Sequence, residues 1–368
     1  MPHKKAYAIQ IAKMCEAFIE EGVDLELIIP KQRGETENIR DYYKLRPTVH
    51  VTRLLALDFY ASGKWGYFIS SLSFTISYSA YLILKMLQGK RGIIYTIDMD
   101  TFSFAASIFL GMPCFLETHG GKSKSWINLI FFKYAKGIIV INNVIKKQIV
   151  ETIAFPEERM LVWPNGIDLD LFHEISKDEA RNKLSIQKAE KIIMYCGRFY
   201  GWKGLEVLVD AAKELPSDTF VYIVGGTKEE FMSVSKKTEL PGNFVFPGGK
   251  PYTEVPLWLS AADALLVLGT RHDTQSYYYT SPMKVFEYLA MRRPIVASKT
   301  PAIQDIVSDK EVIFYKPDDP IDLAQKITIS VNTPDLVALK TEAATMRAKD
   351  FTWQKRAKDI LEFIKKNI

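Results

Sequence analysis

The sequence predicts an α/β protein of two doubly wound halves, and three observations carry that prediction. Short β-rich apolar runs alternate with helix-patterned segments along the chain. A turn composition, Pro164-Asn165-Gly166, separates one such run from the polar stretch Ile175–Glu190. After the last run comes an amphipathic segment, Phe351 to Lys366, with Trp353, Ala357, Ile360, Leu361 and Ile364 on one face. The 368 residues are 48% apolar or aromatic and 25% charged, which excludes a disordered or fibrous chain and supplies enough apolar surface for two large cores.

Taken in order, Gln10 to Glu21 places Ile11, Met14, Cys15 and Phe18 at helical spacing and stops at Gly22, a helix with a glycine end signal. Leu25–Ile29 is its partner strand. The remaining strands of the first half are Ile93–Ile97, Pro113–Leu116, Gly137–Ile141 and Met160–Trp163. Those of the second are Ile192–Cys196, Phe220–Val224, Asn243–Phe246, Ala264–Leu268, Pro294–Ala297 and Val312–Tyr315. A parallel unit ordinarily begins with a strand ahead of its first helix; no apolar run precedes Gln10, so that strand is expected to be missing. Trp65–Leu87 has Lys85 as its only charge, yet Ser70, Ser71, Ser73, Thr75, Ser77 and Ser79 make it more polar than a membrane span. It reads first as a core helix and, in the alternative, as one that touches a membrane through its aromatic residues.

Lysine and arginine exceed aspartate and glutamate by 48 to 43, a net charge of +5. That excess is far from the dense basic surface of a nucleic-acid binder, but it permits an anionic substrate or a membrane face. Cys15, Cys114 and Cys196 are odd in number, far apart and set in apolar runs, so they read as buried thiols of a reducing compartment with no disulfide framework or zinc site. Met1–Lys5 is polar and leads into no apolar signal core, so the chain is expected to be cytoplasmic, with membrane association open.

Ligands of doubly wound sheets lie beyond the carboxyl ends of the strands, so the residues that follow each strand are the candidates for chemistry. Gly197-Arg198-Phe199-Tyr200-Gly201-Trp202-Lys203-Gly204 follows one strand and leads into a helix; exposed amides, an arginine fork and a helix start together make a phosphate site. It lacks the spacing and the hydroxyl residue of a nucleotide-triphosphatase phosphate loop. In Thr280-Ser281-Pro282-Met283-Lys284-Val285-Phe286-Glu287, Ser281 is expected to cap a helix that begins at Pro282. Lys284 and Lys203 then each oppose the positive end of a helix, a local conflict resolved by a diphosphate between them or, for either alone, by solvation. Glu287 is expected to be half buried and bonded either to ribose hydroxyls or to Lys284 or Arg292. His119, in Glu117-Thr118-His119-Gly120-Gly121, either reaches a ligand cleft or is incidental. Tyr277, Tyr278 and Tyr279 either stack on a sugar or pack under it.

Together these motifs resemble the family 4 glycosyltransferases of the GT-B fold. The resemblance rests on VWPNGIDLDLF at Val162–Phe172, CGRFYGWKGLEVLVDAA at Cys196–Ala212, IVGG at Ile223–Gly226, SPMKVFEYLAMRRPIVAS at Ser281–Ser298 and FTWQKRAKDIL at Phe351–Leu361. It implies two Rossmann-like domains facing across a cleft: 1–165 on the acceptor side, 166–348 holding a nucleotide-sugar, and a helix in 349–368 that crosses back to the first. It also implies retaining, metal-independent transfer of a sugar from a nucleotide-sugar to an acceptor hydroxyl, without any cofactor. Arg198 and Lys203 look like the diphosphate pair, with Gly197 in the same loop, and Glu287 looks like the carboxylate on the ribose. His119 looks like the histidine at the donor sugar, and Gly225 and Gly226 like part of the nucleotide wall. The family's first acidic residue, eight positions before Glu287, is Tyr279 here, leaving amides near Thr280 and Ser281 beside Lys284 to hold the diphosphate.

The acceptor is expected to be a glycan or a lipid-linked glycan, with peripheral membrane contact through Trp65–Leu87 and the basic residues Lys122, Lys124 and Lys133. A non-catalytic nucleotide-sugar binder, favoured by Tyr279, and a nucleotide-sugar epimerase are the alternatives. An oxidoreductase is not, because no strand is followed by the spaced glycines of a dinucleotide site.

Overall fold

The computed structural model describes residues 6–31, 38–60, 62–97, 110–187 and 190–368, so the opening Met1–Lys5 lies outside it. The chain divides into two compact units, one made of Met1–Pro164 with Trp353–Ile368 and the other of Asn165–Thr352.

The first unit runs α1 (Ala6–Glu20), β1 (Glu26–Pro30), α2 (Ile39–Tyr43), β2 (His50–Leu54), α3 (Gly63–Leu87), β3 (Ile94–Ile97), β4 (Cys114–Thr118), α4 (Trp126–Tyr134), β5 (Gly137–Val140), α5 (Asn143–Ile153) and β6 (Met160–Val162). β3, β4, β5 and β6 form one parallel sheet in that order. β4 and β5 are buried at every position; β5 is the unbroken apolar run expected of a parallel sheet, whereas β4 ends on the buried polar residues Glu117 and Thr118. β1 pairs in parallel with β2, from Glu26 opposite His50 to Pro30 opposite Leu54. β2 has no counterpart among the expected strands: His-Val-Thr-Arg-Leu mixes polar and apolar residues and is only half buried, so pairing with β1 defines it. α1 ends at Gly22, whose φ of 84° only glycine adopts cheaply.

α3 departs from the core-helix expectation. Only Gly66, Ser70, Ser71, Phe74, Tyr78 and Leu82 are buried, while Trp65, Leu72, Ile76, Ile83 and Leu87 are exposed. The inner face is pinned by Glu26 of β1, which receives hydrogen bonds from Thr52 and Tyr81 and lies 3.2 Å from Lys85 Nζ. Burial pushes the Glu26 carboxyl up, but these donors outweigh it and bring it down to about 2.

The second unit runs α6 (Lys177–Leu184), β7 (Lys191–Cys196), α7 (Leu205–Ala212), β8 (Thr219–Val224), α8 (Lys228–Ser235), β9 (Phe244–Gly248), α9 (Val255–Ala261), β10 (Ala264–Val267), α10 (Met283–Leu289), β11 (Ile295–Ser298), α11 (Pro301–Gln304), β12 (Ile313–Tyr315), α12 (Pro320–Asn332) and α13 (Pro334–Ala348). All six strands are parallel, in the order β12-β11-β10-β7-β8-β9, the reversal beside β7 being the switch point where such sheets bind ligands. Ile193, Tyr195, Leu208, Val221, Ile223 and Leu266 sit in one core cluster. The unit's two ends are tied together where the Ile167 amide donates to the Phe351 carbonyl at 2.8 Å.

The last helix, α14 (Trp353–Asn367), belongs to the first unit, where it packs on α1 and β5. Its buried stripe is Trp353, Arg356, Ala357, Ile360 and Ile364. Gly137 admits it: a Cβ there would lie 2.7 Å from the Phe363 ring. Trp163 Nε1 donates to Asp359 at 2.7 Å. All three cysteines are buried and free, and burial pushes the Cys15 and Cys196 thiols up to about 12.

Candidate functional site

In the second unit the segment after β7 folds back on itself. The Tyr195 hydroxyl and Lys203 Nζ both donate to the Arg198 carbonyl, at 3.2 and 2.9 Å, so the backbone from Gly197 to Gly204 forms a closed loop with the Arg198 residue exposed at its tip. Lys203 ends a short 3-10 turn, Gly201–Lys203, and Gly204 separates it from α7; it stands just ahead of the helix rather than in its first turn. Its ammonium lies over the stacked rings of Tyr200 and Trp202, 4.8 and 5.5 Å from their centroids. Burial, with the nearby Arg198 charge, brings the Lys203 amine down to about 8 against a smaller upward pull from Cys196.

Lys284 stands on the other side of Gly197. It is the second residue of α10, and its ammonium is buried with no hydrogen-bond partner, 3.5 Å from the centre of the Tyr195 ring. A Cβ on Gly197 would sit 3.2 Å from that nitrogen, and φ there is 137°, so glycine is required twice over. Burial, and next the charge of Lys203, hold the Lys284 amine well below its ordinary value. Gly225, with φ of 146°, is equally constrained: a Cβ would meet the Gly197 carbonyl oxygen at 2.4 Å, so the ends of β7 and β8 touch backbone to backbone. Gly226 leaves room for Phe199 and Glu230.

Two expectations about α10 are corrected. Ser281 does not cap it; the N-cap is Pro282, and Ser281 instead accepts from Asn165, with the Asn165 amide 3.3 Å from its Oγ and Asn165 Nδ2 2.7 Å from its carbonyl oxygen. The side chain faces the Pro-Asn-Gly turn, where the Asn165 backbone amide donates to it. The Thr280 amide is not free for an anion, since it donates to Gln275 O at 2.9 Å and closes the π-helical turn Gln275–Tyr279. Tyr277 and Tyr278 pack edge to face in that turn, 4.7 Å apart.

Glu287 is more buried than expected, at 9% exposure, and among the described residues it makes no close ion pair: Lys284 acts on it only through its charge, and Arg292 sits 3.4 Å from Glu174 instead. Its carboxyl receives a hydrogen bond from Tyr252, a residue that no sequence pattern singles out, and burial outweighs that bond and pushes it up to about 7. The switch point of this sheet therefore holds two crowded amines with depressed proton affinity and one carboxyl with raised affinity. Each shift disfavours the charged form in the empty site, and each is relieved by a ligand with two anionic groups and adjacent hydroxyl donors.

In the first unit His119 follows β4 directly. Its Nε2 lies 2.6 Å from Glu117 Oε1 and 3.1 Å from Gln10 Nε2. Glu117 is fully buried and collects Gln10 at 2.6 Å, a hydrogen bond from Tyr95 and an ion pair with Arg356 of α14 at 2.9 Å. Burial would raise the Glu117 carboxyl, but the Arg356 charge and the His119 bond hold it well below the usual carboxylate range. With its proton on Nε2 the ring donates to Glu117, which fixes its tautomer.

Two family models divide the chain: Glycosyltransferase Family 4 matches residues 8–171 and Glycosyl transferases group 1 matches residues 176–345. The processive diacylglycerol alpha-glucosyltransferase of Acholeplasma laidlawii is 24% identical over 194 residues, covering 50% of this chain and 56% of that protein, so the match spans little more than half of the relative. Among solved structures, sucrose-phosphate synthase of Thermosynechococcus elongatus superposes with a TM-score of 0.79 at 18% identity, covering 98% of this chain and 93% of the other. Anabaena HepE, in complex with UDP and glucose, gives 0.73 at 16% identity, covering 99% and 97%. At these identities the structures speak for the fold, which is GT-B. With both halves matched by the paired models, the chain belongs to the group 1 and family 4 glycosyltransferases.

Proposed function

We propose that this protein is a retaining, metal-independent glycosyltransferase that moves a sugar from a nucleotide-diphosphate sugar to a hydroxyl of a glycan or lipid-linked acceptor, at the cytoplasmic face of a membrane. The observation that carries the reading is the buried, unpartnered ammonium of Lys284 beside Lys203 and Arg198. Three positive groups, two ahead of α7 and one in the first turn of α10, suit a diphosphate, and family membership supplies the sugar. As the bond between the anomeric carbon and the diphosphate oxygen breaks, negative charge grows on that oxygen and positive charge on the ring. The cations are already in place, so the barrier falls without their having to reorganise. The acceptor oxygen bonds to the anomeric carbon on the face the diphosphate leaves, and the diphosphate takes its proton. His119, oriented by Glu117, is assigned to the hydroxyls of the transferred sugar.

A thermal-shift screen of nucleotide-sugars tests the donor: a true donor at about 100 times its dissociation constant adds roughly 2.7 kcal/mol of stability. NMR of the product then reads the anomeric configuration, and inversion rejects the retaining mechanism. Tight donor binding with no transfer to any acceptor favours the binder over the enzyme, and a product with an inverted ring hydroxyl favours the epimerase.

Affinity for a nucleotide-sugar should also peak between pH 7 and 8. Below about 7 Glu287 gains a proton and stops accepting from ribose hydroxyls. Above about 8 Lys203 loses its charge in the free protein, and because the bound anion favours the charged amine, affinity falls by up to about tenfold per pH unit for one coupled proton. Calorimetry with UDP-glucose, whose diphosphate diester does not titrate in this range, reads the curve; a flat profile removes both residues from donor contact.

A further inference from the structure

α3 is packed inside out for a water-soluble unit. On its inner stripe the first half is Gly66, Ser70 and Ser71, whereas the outer stripe Trp65, Ile69, Leu72, Ile76, Ile83 and Leu87 recurs at spacings of three, four and seven along the helix and is exposed throughout. Trp65 and Leu87, at opposite ends of a helix about 37 Å long, are each 80% exposed. The inward serines fix this orientation. Ser70 Oγ accepts the Phe59 amide at 2.9 Å and Ser73 Oγ the Leu57 amide at 2.8 Å, which straps the preceding segment along the helix. That strap adds exposed Leu55, Leu57 and Phe59 to the apolar surface. Exposed apolar surface this continuous marks an interaction site.

Charge selects the occupant. From Leu55 to Ile97 the sequence has one acidic residue, the exposed Asp58 of the strap, against Lys64 at one end of the stripe, Lys85, and Lys90 and Arg91 at the other. α4 repeats the arrangement in the same unit: Trp126, Leu129, Ile130 and Tyr134 are exposed, Lys122, Lys124 and Lys133 are interspersed, and no acidic residue occurs from Thr118 to Val150. Two copies meeting through such a face would oppose like charges, whereas anionic lipid headgroups complement them. α3 is long and apolar enough to cross a bilayer, but its inner face is bonded to Glu26 of β1, so it lies flat.

We infer that the outward stripe of α3 with its Leu55–Phe59 strap is a docking surface for a bilayer containing anionic lipid, the apolar side chains entering the headgroup boundary and the flanking lysines pairing with lipid phosphates. The inference deepens the lipid-linked acceptor reading above and rests on it for its purpose.

The experiment mixes the full chain with vesicles of phosphatidylcholine, with and without phosphatidylglycerol, and sediments them. Expected are co-sedimentation with the anionic vesicles, release as salt is raised, and at least about tenfold weaker partition for Ile76→Glu/Ile83→Glu at unchanged circular dichroism. If that variant misfolds, Leu57→Glu on the strap is read instead. Failure of the wild type to bind either vesicle overturns the proposal, as does a wild-type dimer that these substitutions split, which would make the face a contact between copies. No donor or acceptor is in the tubes. Lost vesicle binding by a protein that still binds a nucleotide-sugar from the screen therefore sinks this inference alone, and vesicle binding by a protein that binds none of them sinks only the transferase reading.

Discussion

Arg198→Ala and Lys203→Ala should each cut turnover by on the order of 10²–10³, or about 2.7–4 kcal/mol of transition-state stabilisation, while the fold survives. Arg198 is exposed, and among the described residues Lys203 touches only its own loop, through the Arg198 carbonyl and the Tyr200 and Trp202 rings, so neither holds the sheet together. Lys284→Met separates the chemistry from the scaffold more sharply, because its two effects have opposite signs. An ammonium buried without a hydrogen-bond partner costs folding free energy, so its removal should raise the melting temperature of the empty protein. The same change removes a cation from the diphosphate, so donor affinity should fall. Turnover on the donor identified by screening, read beside thermal melts, checks all three variants. Near-native rates in both alanine variants, or a lower melting temperature for Lys284→Met, would falsify the assignment.

Arg356→Ala should destabilise the first unit by about 3–5 kcal/mol, the usual cost of stripping one member from a fully buried ion pair. Arg356 and Glu117 are both completely buried, and Arg356 Nε also donates to the Pro164 carbonyl at 2.8 Å, so one truncation strips a buried carboxylate of its guanidinium counter-charge and a carbonyl of its donor. Urea unfolding at constant slope measures the loss. Arg356→Met combined with Glu117→Gln should recover much of it, because the uncompensated charge is gone. The folded Glu117 carboxyl sits below its unfolded value of 4.5, so the pair's contribution is complete above that pH and is lost as the pH falls from there towards the lower folded value. A variant as stable as the wild type at neutral pH refutes the account.

Strands were legible where burial on both faces leaves nothing but apolar residues: Gly137–Val140 and Ala264–Val267 announce themselves. His50–Leu54 does not, because a half-buried edge tolerates polar residues and its identity comes from a partner elsewhere in the chain. The direction α3 faces was hidden for a related reason. Serines and apolar residues share that helix, and only the hydrogen bonds to the Leu57 and Phe59 amides decide which side turns inward. At the candidate site Lys203, Lys284 and Glu287 could be picked out because each breaks a local rule. Tyr252 breaks none, and Ser281 satisfies the cap rule, as a serine before a proline does whether or not Asn165 stands opposite, although Pro282 is the cap.

The membership of α14 in the first unit sets an order on biosynthesis. Residues 165–352 leave the ribosome as a complete unit with both ends tied, whereas Glu117 has no Arg356 to meet until the final helix is made. During that interval the nascent protein carries an unneutralised carboxylate and the bare surface that α14 later covers. Chaperone occupancy or proteolytic nicking of stalled chains should therefore concentrate on the earlier-made half.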